Sequence, residues 1–132
     1  MYRLWPAPKP LVLVGLVEAD QGTERGLMRW SEKLVSYAAL FSSVRLSQIT
    51  GYTQARVLVV APNAGRRDGL TDLISAQTQE QRLDPSLSGR FFIAERGAWM
   101  AQPDLAAPVW RRAGSDSLVP LVPADLLEPA AL

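Results

Sequence analysis

Apolar residues fall along the chain in blocks of two different periods. Leu11 to Ala19 is aliphatic along most of its length, the pattern of a strand covered on both faces, and it ends in Glu18-Ala19-Asp20. Gln21-Gly22-Thr23 then turns the chain, with Thr23 placed to cap the next helix. From about Glu24 to Phe41 the period changes. Leu27, Trp30, Leu34, Tyr37, Phe41 and Val44 recur at spacings of three and four, one apolar stripe of a helix. Ser42 to Gln54 reads as a helix end and a loop. Arg56 to Ala61 is a second buried strand, and Pro62-Asn63-Ala64-Gly65 turns it into a helix over about 66–82 with Leu70, Leu73, Ile74 and Gln77 inward. Gly89 to Ala94 predicts a third strand and Ala98-Trp99-Met100 a short helical segment. Irregular chain comes next, then an edge strand over Ser117 to Val122, where Pro120 favours the edge.

Strands alternating with helices imply an α/β fold, a two- or three-layer sandwich around a mostly parallel or mixed sheet. Its ligands would sit where the chain leaves the carboxyl ends of the strands. Prolines crowd both ends of the chain. The organisation expected is a Pro-rich lead-in over 1–10, one α/β domain over 11–122 and a Pro/Ala tail over 123–132. The length of 132 residues suits one domain with a core of its own.

Composition narrows the chemistry. The chain has no cysteine and no histidine, which excludes zinc fingers, disulfide frameworks, thiol nucleophiles and histidine bases. A metal would have to be a hard cation held by oxygen, such as magnesium, manganese or calcium. No apolar stretch is long enough to span a bilayer, so a cytoplasmic protein without a membrane partner is expected. Twelve of the fourteen basic residues are arginine, yet the net charge is only +1, weak support for a nucleic-acid partner.

One constellation can carry chemistry. Glu18 and Asp20, two apart at a strand end, point to one face. Paired carboxylates repel unless a cation joins them, and a divalent metal would serve, with Glu24 as a third oxygen donor. Lys33, about two turns into the next helix, would steady negative charge at a phosphoryl group if the helix packs back on the sheet. The same acidic residues are more plainly explained by the favourable field at a helix N-terminus, with Lys33 an ordinary solvated lysine. Arg66 and Arg67, between strand and helix, and Arg111 and Arg112, after Trp110, are candidate contacts to a nucleic-acid backbone; a capped helix start and solvated loop charge are the plainer explanations. Trp30, Tyr37, Phe91 and Phe92 are expected in the core, while Trp5, Trp99 and Trp110 clamp short segments or form a subunit contact.

The run Glu18-Ala19-Asp20-Gln21-Gly22-Thr23-Glu24, with Lys33-Leu34 and Tyr37 after it, resembles the C-terminal domain of plasmid replication-relaxation proteins, of the PD-(D/E)XK restriction-endonuclease-like superfamily. Arg56 to Pro62, Arg90-Phe91-Phe92-Ile93 and Pro108-Val109-Trp110-Arg111 come next in the order of that pattern, so the resemblance covers about 11–122. It implies a restriction-endonuclease-like fold and a DNA-binding, nuclease-like protein of a mobile element, with magnesium- or manganese-dependent phosphodiester hydrolysis. Glu18 and Asp20 would stand for the acidic motif, Lys33 for the catalytic lysine, and Glu24 and Tyr37 would be accessory. The chain departs from the pattern at Gln21, where arginine is usual, and in having no carboxylate before Leu11. These departures motivate a second expectation, a catalytically inactive nuclease-fold module that binds DNA, a protein partner or a second copy of itself.

Overall fold

A computed structural model describes residues 15–20, 26–51, 55–101, 104–113 and 115–121. The fold is mixed α/β, built on a five-stranded mixed sheet in the order β1-β2-β3-β4-β5. Strands β1 (Gly15–Ala19), β2 (Arg56–Ala61) and β3 (Phe91–Glu95) run parallel. The two short strands β4 (Trp110–Arg112) and β5 (Leu118–Val119) continue the sheet antiparallel. Between β1 and β2 lie helices α1 (Gly26–Phe41) and α2 (Arg45–Thr50). Helix α3 (Ala64–Glu80) and a 3-10 turn (Pro85–Arg90) join β2 to β3, and α4 (Arg96–Ala101) comes after β3.

β2 is the hub, and its alternation separates two cores. Val57, Val59 and Ala61 face α1 and α3, where they pack with Trp30, Leu34, Leu70, Ile74, Leu87, Phe91 and Ile93. Trp30 and Tyr37 meet the Phe91 ring edge-on at 6.0 and 5.5 Å between centroids, geometry that suits the opposed charge of ring face and ring edge. Helix α3 starts because the Asn63 side chain accepts a hydrogen bond from the Arg66 backbone N–H, satisfying a donor that the helix leaves open. It is tied to α1 by the Ser31 hydroxyl, which donates to Gln77 at 2.9 Å. The smaller core lies on the other face, where Phe92, Ala94, Trp110 and Leu121 are buried and Trp99 of α4 stacks at a tilt on Trp110, 5.4 Å away.

Several expectations change. Among the described residues the first strand is at the sheet's edge and is covered on one face only, with Val17 74% exposed. Its run Leu11 to Val14 lies outside the described residues. Val44 does not extend the stripe of α1. The helix ends at Phe41, and Val44, 68% exposed, occupies the N-cap of α2, a helix in place of the expected loop. The segment of Arg111 and Arg112 is a strand and not a loop. Leu118–Val119 does form the opposite edge of the sheet, with Pro120 directly after it. Trp5, Thr23 and Glu24 lie outside the described residues.

Candidate functional site

Glu18 is in register with Val59 of the neighbouring strand, so its side chain rises on the face that α1 covers. Lys33 and Tyr37, one helical turn apart on α1, both reach it. The Lys33 ammonium donates to Glu18 Oε2 at 2.8 Å and the Tyr37 hydroxyl donates to Oε1 at 2.8 Å. Helical spacing of four stacks the two donors along one line. Trp30, three residues before Lys33, lays its ring 4.9 Å from the ammonium. Burial pushes the Tyr37 phenol well above its ordinary range, and the Glu18 hydrogen bond and charge add to the effect. The hydroxyl is therefore held as a donor and not as a base.

Asp20 has a different partner. Its backbone N–H donates to the Val60 carbonyl at 3.0 Å, so the carboxylate sits just past the sheet's pairing, and it is buried. Arg66, in the first turn of α3, forks onto it: Nε donates to Oδ2 at 2.6 Å and Nη2 to Oδ1 at 3.0 Å. That hydrogen bond raises the pKa of Arg66 beyond its already high ordinary value, against the opposing effect of burial. The fork is the strong geometry for carboxylate recognition. β1 and β2 are parallel neighbours, so the turn leaving β2 starts α3 beside the end of β1.

The two carboxylates thus answer to separate cations. All four of their oxygens accept a hydrogen bond from Lys33, Tyr37 or Arg66. Hard-metal coordination needs several oxygen ligands open to the ion. Among the described residues no group of three carboxylates could hold one. The oxygen donors are of the right type for magnesium, each already accepts one hydrogen bond from a protein donor, and Glu24, the third expected ligand, lies outside the described residues. An open groove of about 490 Å³ runs beside Glu18, lined by Arg29, Glu32, Lys33, Ser36 and Tyr37.

The remaining candidates lie apart from this pair. Arg67 donates to Asp68 at 2.9 Å, and Arg111 pairs with the same carboxylate at 3.0 Å and with Asp72 at 3.7 Å. Arg67, and after it Arg111, hold the Asp68 carboxyl below its usual range. Arg112 donates to the Gly89 carbonyl at 2.8 Å and makes no ion pair with any described carboxylate. Sequence reasoning missed Arg66 as the partner of Asp20 and the Asp68 node altogether.

No protein-family model, curated protein or solved structure matches the chain.

Proposed function

We propose that the chain is a nuclease-like, DNA-associated module of restriction-endonuclease-like layering that does not itself hydrolyse phosphodiesters. The observation that carries the non-hydrolytic part is that Lys33, Tyr37 and Arg66 place a hydrogen bond on each oxygen of Glu18 and Asp20. In a hydrolytic site of this kind the acidic pair must hold a metal that stabilises the attacking and leaving oxygens. Here the basic side chains neutralise the pair instead, and the site becomes part of the scaffold. The DNA-associated, mobile-element part rests on the ordered motifs from Glu18-Ala19-Asp20 through Pro108-Val109-Trp110-Arg111.

One observation favours a second reading, magnesium-dependent nicking: the Lys33 ammonium lies within hydrogen-bond reach of Glu18, one member of the acidic pair, where a charge-stabilising lysine belongs. Incubation of supercoiled plasmid with the protein and magnesium separates the two. The non-hydrolytic reading expects wild type and Asp20→Ala to leave the plasmid equally intact. Nicking by wild type that disappears in Asp20→Ala would establish the second reading in its place.

A further inference from the structure

On the sheet face opposite Glu18 and Asp20, three side chains from three strands converge. Val57 and Phe91 face α1 and α3, so Arg56 and Phe92 face the other way. Phe92 is in register with Leu58 of β2 and directly opposite Arg112 of β4. Arg56, two residues before Leu58, shares that face. The Arg56 guanidinium lies 4.8 Å and the Arg112 guanidinium 5.5 Å from the centroid of the Phe92 ring. The ring itself is buried, at 4% exposure, so it is a fixed platform.

The charge balance is unusual for two neighbouring cations. Neither guanidinium is paired with a described carboxylate. Each spends one donor on a backbone carbonyl, Arg56 on Leu121 and Arg112 on Gly89. An arginine has five N–H donors in a planar fork, so most of the hydrogen-bonding capacity of both is unspent on the described residues. Burial lowers the pKa of Arg56, and the charge of Arg112 lowers it further, as two like charges on one platform must. The same chain pairs Arg66, Arg67 and Arg111 with carboxylates on the α3 side. A multiply hydrogen-bonding anion relieves the repulsion, and a tetrahedral oxyanion can accept from two forks at once.

We propose that Arg56 and Arg112, laid over Phe92, form a site for a phosphoryl group, whether free phosphate or an internucleotide phosphodiester. The inference does not depend on the absence of hydrolysis at Glu18 and Asp20. The full chain is titrated with inorganic phosphate at constant ionic strength while the arginine Nε–Hε resonances are followed, with chloride as the control anion. Those of Arg56 and Arg112 should shift saturably with phosphate and not with chloride. Arg112→Gln should weaken the affinity about tenfold, as loss of one charged fork implies. Arg56→Lys keeps the charge but loses the fork, and should also weaken it. Arg45→Gln, on exposed α2, should change nothing. A parallel titration with a dinucleoside monophosphate assigns the source: equal shifts mark a backbone site, and shifts with inorganic phosphate alone mark a site for free or terminal phosphate. Absence of a saturable shift with either probe, or an unchanged affinity in Arg112→Gln, overturns the proposal.

Discussion

The two faces of the sheet are built on opposite rules. The face under α1 and α3 buries ten core residues, and four of its cations stand on carboxylates: Lys33 on Glu18, Arg66 on Asp20, Arg67 and Arg111 on Asp68. The other face buries four core residues, among them Trp110, whose buried indole N–H has no hydrogen-bond partner among the described residues. There Arg56 and Arg112 share a phenylalanine with no described carboxylate. A buried polar group left unpaired costs more than a paired one returns. A resemblance between motifs points to the acidic end of the first face for chemistry, yet that is the end where every described oxygen and cation of the acidic pair has found a partner.

The sharpest way to break this contrast is through the cores. Phe91→Ala on the helix face should cost about 4 kcal/mol, as truncation of a fully buried aromatic does, and Leu121→Ala on the other face about 2 kcal/mol. Urea unfolding of the two variants measures both, and equal losses would erase the distinction. Next in size is Arg66→Ala, which removes the two-pronged hydrogen bond to the buried Asp20 carboxylate and should cost about 3 kcal/mol. Asp20→Asn combined with Arg66→Gln should recover part of that loss, and a double-mutant cycle reads the coupling.

A smaller effect tests Tyr37. Its folded pKa is raised above the unfolded value of about 10. Its contribution is therefore fully present below pH 10 and is lost as pH rises from there towards the folded value. Urea midpoints should fall above pH 10 in wild type, and Tyr37→Phe should remove that component of the fall. The smallest effect belongs to Asp68, whose folded pKa lies below its ordinary 3.8. That stabilisation is present above this value and fades as pH drops through the folded one. The carboxylate is largely open to solvent, so Asp68→Asn should flatten the acid limb of the stability profile by under about 1 kcal/mol.

How much was legible in the sequence depends on the range of each interaction. β2 was readable because Arg-Val-Leu-Val-Val-Ala carries its own pattern, and α3 because Asn63 caps it and Leu70 and Ile74 repeat at helical spacing. The contact of Lys33 with Glu18 was legible only as conditional on the helix packing back over its own strand, which it does. Tyr37 carried the same signal, one turn on. The fork from Arg66 to Asp20 spans 46 residues and depends on β1 and β2 being neighbours, a fact that neither segment encodes alone. Parallel adjacency of the two aliphatic runs, had it been assumed, would have set the turn after Asn63 beside the end of β1. Edge position is non-local too, so an aliphatic run with the pattern of a doubly covered strand leaves Val17 in the open. β4 is three residues long and two of them are arginine, too short for alternation to register.

The central claim is that protein donors, and not a metal, satisfy the acidic pair. Calorimetric titration of the full chain with manganese tests it most directly. No one-to-one binding heat should appear up to about 1 mM manganese, a range in which built carboxylate sites for hard cations fill. Stoichiometric binding that vanishes in Asp20→Asn would contradict it.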